Sequence, residues 1–440
     1  VNYSDFLAGK KRVWQGDGID VEHLPSQLFP WQAAIVKWAL RKGRAAIFAD
    51  CGLGKSFMQL AWAQALPCRV LILAPLCVAE QTVAEGIKLG VPVVYARKPV
   101  DAPDAKIVIT NYERLDAFAA ADFGGVVLDE SSILKAFNGA TRTALIEMFH
   151  DTRYRLCCTA TPSPNDISEL ANHAEFLGLM TRPEFLATWF INVGTTGKRG
   201  VHHGWRMKRH AVIPFYRWLA SWAMALRIPS DIGYDDAGFA LPPLTIRDTT
   251  VESGRVGDAL FPELGLHGLQ GRLSGRRGSL EMRVDATAQL AQKSGAWLLW
   301  CGLNTESEAL AKAIPGAVEV KGSDSYSEKV GAVQAFIRGD IRVLVSKPKI
   351  LGFGLNFQHC HQMAFVGMSD SYEAYYQCIR RCWRFGQTKP VDAWIVVSEA
   401  ERLVVENVRR KEAAASDLAR DLMAHMVEFE RAEVQTESAA

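Results

Sequence analysis

Along most of this chain, short apolar runs alternate with segments of helical periodicity, a pattern with few structural solutions. The first series of runs occupies residues 45–49, 70–74, 91–95, 107–110, 126–128 and 155–158. A second series occupies 296–301, 317–321, 341–346, 362–366 and 391–397. Runs this short with no polar alternation suit strands buried on both faces, and helical segments between them suit crossover connections, so two parallel-sheet α/β lobes are predicted. The stretch between the two series opens with amphipathic, Trp-rich sequence at 182–226 and continues through Gly/Pro-containing passages at 229–243 and 254–278. It reads as a helical insertion followed by linker or extended structure. Residues 399–428 carry Ala, Glu, Arg and Leu at helical spacing, while 431–440 have little to bury and are expected to fray.

The remaining arithmetic narrows the function classes. In 440 residues, 50 Lys and Arg face 48 Asp and Glu, so any polyanion-binding surface must be local. Continuous apolar stretches long enough for a membrane span are absent from the sequence, and residues 1–11 are too polar for a signal peptide, which points to a cytoplasmic protein. Nine cysteines, several within apolar runs (Cys77, Cys157, Cys158, Cys301), fit reduced buried thiols better than a disulfide framework.

The run at 45–48 leads into Ala49-Asp50-Cys51-Gly52-Leu53-Gly54-Lys55-Ser56 and then a helix-patterned segment. This strand, glycine loop and helix order is what phosphate binding requires. Gly52, Leu53 and Gly54 can bring backbone N–H groups to a polyphosphate, Lys55 can reach the β and γ phosphates, and Ser56 can ligate Mg²⁺. Ala49 stands where the simplest pattern has glycine. Farther along, the run at 126–128 ends in Asp129-Glu130. Adjacent carboxylates at a strand's end suit Asp129 as a Mg²⁺ partner and Glu130 as the group that orients or deprotonates water. An isolated pair of this kind is more simply an acidic helix cap, and its place after a glycine loop is what favours chemistry. A third signal is the segment from Gln377 to Gln387, where Arg381 and Arg384 share a helical face among Cys, Ile, Trp and Phe. Arginines held beside apolar surface can neutralise charge on a transferred phosphoryl group.

With these motifs in order, the chain resembles the superfamily 2 helicase-like motors, and within them the Swi/Snf-like DNA translocases. The resemblance covers about 28–398 and rests on Leu28-Phe29-Pro30-Trp31-Gln32, the glycine loop, Asp129-Glu130 with Leu134-Lys135, Thr159-Ala160-Thr161-Pro162, Gly352-Phe353-Gly354-Leu355-Asn356 and the arginine segment. It implies two RecA-like lobes, at 28–181 and 285–398, separated by the insertion and linker at 182–284 and flanked by an extension at 1–27 and a helix and tail at 399–440. It further implies ATP with Mg²⁺ as cofactors. Gln32 resembles the adenine-reading glutamine, and Glu130 the catalytic base. Thr159, Thr161 and Gln377 resemble the coupling residues. Gly354, Arg381 and Arg384 resemble the second-lobe face that closes on ATP, with Arg384 and Arg381 as the finger. The chain departs from the pattern at Ser132, where most relatives carry His or a similar coupling residue.

Residues 187–230 contain no Asp or Glu but include Lys198, Arg199, Arg206, Lys208 and Arg209, with several tryptophans interspersed. Such local charge attracts phosphates, so the 198–210 loop is expected to contact a nucleic-acid backbone, while Trp218 and Trp222, four apart, read as helix core. Lys347, beside Pro348-Lys349, reads either as a further phosphate contact or as an exposed turn. His359-Cys360-His361 lacks zinc spacing, so no metal beyond Mg²⁺ is expected. The expected activity is ATP-driven translocation on duplex DNA. RNA unwinding is one alternative, and the other is a nucleotide-responsive clamp with weak hydrolysis, which Ser132 favours. The C-terminal helix could pack on the chain or bind a partner protein. The compact length suits a bacterial or phage-encoded system.

Overall fold

The computed structural model describes residues 13–75, 78–135, 139–163, 166–197, 200–202, 204–252, 276, 278–352 and 355–435. The chain divides into two compact units, Val1–Phe239 with Ala414–Ala440, and Ala240–Ala413.

The first unit is built on β1 (Arg44–Ala49), β2 (Val70–Ala74), β3 (Val94–Tyr95), β4 (Ile107–Asn111), β5 (Gly125–Asp129) and β6 (Tyr154–Cys158). Short strands β7 (Phe190–Asn192), β8 (Thr195–Gly197), β9 (Gly200–His202) and β10 (Trp205–Met207) form two antiparallel pairs, β7 with β10 and β8 with β9. Strand β11 (Ala223–Leu226) then returns to the main sheet, whose order is β11-β1-β6-β5-β2-β4-β3 with every pairing parallel. Alternate residues of each strand serve opposite faces, as strand geometry demands. Ala45, Ile47 and Ala49 of β1 join one apolar core, and Ala46 and Phe48 join the other. Val70 and Ile72 of β2 likewise part from Leu71 and Leu73. Both faces are therefore dry, which explains the unbroken apolar runs in the sequence.

The second unit carries β12 (Leu244–Val251), β13 (Trp297–Cys301), β14 (Ala317–Glu319), β15 (Val343–Ser346), β16 (Gln362–Val366) and β17 (Val391–Ser398). Their order is β12-β17-β16-β13-β15-β14, again all parallel. Two parallel-sheet α/β bodies thus fit the expected pair of RecA-like lobes.

The described residues of the stretch 182–284, expected as a helical insertion and linker, carry both helices and strands. Helices Arg182–Trp189 and Val212–Ala220 are present, but β11 completes the first sheet beside β1, and β12 completes the second beside β17. Two segments of the stretch between the apolar series, β11 and β12, thus serve as edge strands of the main sheets. Residues 253–275 lie outside the described part of the chain.

A buried ionic cluster ties helix Leu280–Leu290 to helix Asn304–Ala313 in the second unit. Glu306 accepts from Arg276 Nε at 2.6 Å and from Arg283 Nη1 at 2.8 Å, and also caps its own helix through Gly302 N and Leu303 N, each at 2.9 Å. Glu401 approaches the same two arginines at 3.4 and 3.6 Å.

The last helix runs Arg402–Gln435. Its opening turns pack within the second unit, where Arg409 pairs with Asp248 at 2.6 Å and Lys411 reaches Asp370 O at 2.7 Å. Its closing turns belong to the first unit, where Leu422, Met426 and Glu430, spaced by four, are buried. The apolar stripe left open to a partner protein by the sequence is thus used on the chain itself. Arg431, expected in a frayed tail, is helical and donates to Asp231 O and Ser230 O at 3.2 and 3.0 Å. Glu430 Oε1 accepts from Ala225 N of β11 at 2.6 Å. Burial, opposed by that bond, pushes the Glu430 carboxyl up to about 8. A carboxyl whose folded value is raised holds its proton in the native state, so stability is fullest below the ordinary glutamate range and falls as pH rises toward 8. Glu430→Gln should flatten this dependence and raise the melting temperature at pH 8 by a few degrees, as thermal unfolding across pH 5 to 9 would show.

Among the described residues, no helix is long and apolar enough to cross a membrane.

Candidate nucleotide-binding site

At the carboxyl end of β1 the chain turns through Gly52 and Gly54, both at positive φ (90° and 72°), before helix Lys55–Ala65 begins. Only glycine takes these angles freely, so the sequence dictates the loop. A Cβ on Gly54 would lie 2.4 Å from Gln32 Nε2, because Gln32 closes over the loop. Its Nε2 donates to Leu53 O at 3.0 Å, and its Oε1 accepts from Phe29 N at 3.0 Å. The sequence-predicted Gln32, Gly52, Leu53, Gly54, Lys55 and Ser56 are thereby gathered on one loop and its flanking helices. Lys55 Nζ donates to Ala49 O at 2.9 Å and Asp50 O at 3.3 Å, which curls the ammonium back into the loop's concavity. Neutral carbonyls are modest partners for a full positive charge, and a phosphate would replace them with stronger, charge-assisted bonds.

Two strands away in the sheet, β5 ends in Asp129, followed by Glu130 at φ 52°. A non-glycine residue in the left-handed region is uncommon and carries about 1 kcal/mol of backbone strain. The turn is held from several sides. Tyr112 OH donates to Asp129 O at 2.7 Å, and Thr159 Oγ1 donates to Glu130 Oε2 at 3.4 Å. Thr161 N in turn donates to Thr159 Oγ1 at 3.1 Å, so Thr159 links the carboxylate to the Thr-Ala-Thr-Pro segment. Both threonines are buried at the end of β6.

Asp129 is buried and its carboxyl is pushed up to about 7, first by burial and then by the neighbouring Glu130 charge, against a hydrogen bond from Gln59 and the charge of Lys55. Crowding two carboxylates at a dry strand end creates a site that gains by receiving a cation. The donor set of Asp129 and Ser56, all oxygen, fits Mg²⁺ in chemistry.

Sequence reading missed three residues at this turn. Gln59 Nε2 donates to Asp129 Oδ1 at 2.6 Å. His173 Nε2 lies 3.1 Å from Ser131 Oγ, and Asn172 Nδ2 donates to Leu134 O at 2.8 Å. Burial lowers the His173 imidazole to about 4, so it is neutral at physiological pH. The Asn172-His173 pair fastens the segment that follows Glu130, the segment that carries Ser132. Only the four-residue step from Lys55 to Gln59 was open to detection, since it sets both on one helical face.

In the second unit, helix Tyr372–Cys382 carries Gln377 and Arg381, with Arg384 just beyond its end. Arg381 is buried and donates three bonds, from Nε to Gln377 O (2.9 Å), from Nη2 to Gln377 Oε1 (2.8 Å) and from Nη1 to Leu355 O (3.0 Å). Arg384, half-buried, donates to the same Leu355 O at 3.5 Å. The structure therefore brings Gln377, Arg381 and Arg384 together, with both arginines on the Leu355 carbonyl. Gly354 itself lies outside the described residues. Arg380, not singled out from sequence, is buried and stacks over the Trp383 ring at 4.9 Å.

The basic candidates separate. Arg206 and Arg209 are exposed beside the β7–β10 pair. Lys208 instead donates to Ala187 O and Thr188 O, at 2.6 and 3.1 Å, satisfying carbonyls at the end of helix Arg182–Trp189. Lys198 and Arg199 lie outside the described residues. Lys347 is half-buried and immediately precedes helix Pro348–Leu351. Trp218 and Trp222 are both core, but the helix ends at Ala220, so Trp222 is buried from the turn before β11 and not from the helical stripe that the spacing predicts. Among the described residues no three or more His, Cys, Asp or Glu side chains come together as a metal-holding group.

Residues 291–386 match the helicase conserved C-terminal domain. The matched stretch takes in β13 to β16, Gln377, Arg381 and Arg384, and it supports a superfamily 2 helicase-like protein and a helicase-like nucleic-acid motor in general. No curated protein matches the chain.

Proposed function

We propose that this chain is an ATP-dependent motor that translocates on duplex DNA, with Mg·ATP bound by the glycine loop and the Asp129-Glu130 turn. The observation that carries the reading is the chain of contacts joining the loop helix to Asp129 and Glu130 to Thr159, all at the carboxyl ends of neighbouring strands. In open parallel sheets that edge is where ligands bind.

Gln32, fixed over Leu53, would read the adenine. The loop N–H groups and Lys55 would hold the phosphates, and Asp129 with Ser56 would hold the cation. Mg²⁺, when bound there, would supply positive charge against the phosphate oxygens. Glu130, held in a strained turn with Thr159 on one oxygen, has the other available to orient water and take its proton. Arg384 is assigned the charge developing on the transferred phosphoryl group. Arg381, which donates three bonds to Gln377 and Leu355, is assigned the task of ordering the backbone at Leu355 beside Arg384. Arg206 and Arg209 supply exposed positive charge for the phosphate backbone of the track. Thr159 and Thr161 would pass the state of the γ-phosphate to the track-binding surface. The helicase C-terminal domain match supports a nucleic-acid motor, and the closer Swi/Snf-like motif order favours duplex DNA.

The test is steady-state ATP turnover with and without blunt duplex DNA, single-stranded DNA or structured RNA, at fixed Mg²⁺ and salt. Stimulation by duplex of about 10-fold or more, abolished in Lys55→Ala, is the expected result, and selective stimulation by RNA would reassign the track. Nucleotide binding with negligible turnover on every polymer would favour the clamp.

A further inference from the structure

Resting on the nucleotide-site reading above, we propose that Gln59 is a positioning residue for Asp129, holding its carboxylate in one orientation for the cation that accompanies the nucleotide. Gln59 stands one helical turn after Lys55 and is completely buried. Its Nε2 meets Asp129 Oδ1 at 2.6 Å, across 70 residues of sequence. Its own Oε1 is buried with no hydrogen-bond partner. An orphaned buried carbonyl is costly, so as a packing element this amide is worse than a methionine of similar length. What the amide provides is a donor aimed at Asp129. The Asp129 main chain is already held by Tyr112 OH, but that bond leaves the carboxylate free to rotate, and Lys55 is engaged with Ala49 O and Asp50 O. Gln59 supplies the missing restraint. Outer-shell partners of this kind commonly set metal affinity by 10- to 100-fold.

A packing role and a positioning role differ in what Gln59→Met does to ligand binding. Packing alone predicts an unaltered cation dependence, whatever the change in melting temperature. Positioning predicts weaker cation-dependent binding, because the buried Asp129 oxygen loses the donor that orients it. The experiment is equilibrium binding of a fluorescent ADP analogue to the full chain, in EDTA and at graded MgCl₂, so that no turnover enters the readout. For Gln59→Met, the MgCl₂ needed for half-maximal tightening should rise about 10-fold or more, with binding in EDTA unchanged. In an Asp129→Asn background the same substitution should add nothing, since its effect passes through that carboxylate. An unchanged MgCl₂ dependence, equal weakening with and without Mg²⁺, or additive effects in the double variant would each overturn the proposal. Should Gln59→Met fail to fold, Gln59→Asn, one methylene short of Asp129, carries the same expectation. If wild type binds no ADP analogue, the nucleotide-site reading itself fails and the proposal falls with it; if wild type binds with Mg²⁺ and only the variant result disagrees, the proposal alone fails.

Discussion

Glu130→Gln should bind nucleotide as wild type does and lose ATP turnover by about 10²- to 10⁴-fold, the usual contribution of a positioned general base. The amide has the same shape, and its Oε1 can still accept from Thr159 Oγ1, so the strained turn at φ 52° keeps its restraint. What disappears is the oxygen able to take a proton from water. Single-turnover hydrolysis beside equilibrium nucleotide binding separates these effects. Turnover near the wild-type rate would remove Glu130 from the chemistry and leave it as a backbone device.

The second large effect concerns stability. Glu306 receives Arg276, Arg283 and two backbone amides, and neither Glu306 nor Arg283 is exposed. Glu306→Gln neutralises the acceptor while leaving two guanidinium groups in place, with Glu401 as the remaining carboxylate at 3.4 and 3.6 Å. Removing one partner of a buried ionic cluster costs about 3 to 5 kcal/mol, a large fraction of a domain's stability. Urea unfolding should show this loss at neutral pH. Burial alone would raise the Glu306 carboxyl, but the bonds and charges of Arg276 and Arg283 outweigh it and leave it below the ordinary glutamate value. Stability from such a group is present above the unfolded value and lost as pH falls through the folded one, so the difference between variant and wild type should shrink in acid. A midpoint unchanged by the substitution at neutral pH would mean that Glu401 carries the cluster by itself.

The inner strands of both sheets were legible because dryness on two faces leaves a direct trace, an apolar run without alternation, whereas the edge strand β12, partly exposed along its length, left none. The glycine loop was equally plain, since its angles exclude most residues. Contacts that close across long separations left no such trace. Gln59 and Asp129 are 70 positions apart, and Arg276 and Glu401 are joined only through the folded second unit. Strand β11 escaped for a different reason. Ala223–Leu226 follows a Trp-rich helix closely and is too short for periodicity to tell a last helical turn from a strand. The buried Arg381 was foreseen from its apolar neighbours, but its commitment to Gln377 and Leu355 was not.

The bond from Ala225 to Glu430 has a further meaning for the life of the chain in a crowded cell. Strand β11 is the outermost member of its sheet, and an unpaired strand rim is a template on which a second molecule can add its own strand. Glu430 occupies one outward amide of that rim, which would leave it less open to a second strand. A chain cut short before Leu422 would keep every residue of the glycine loop and both carboxylates, and would bare a sticky margin that invites aggregation.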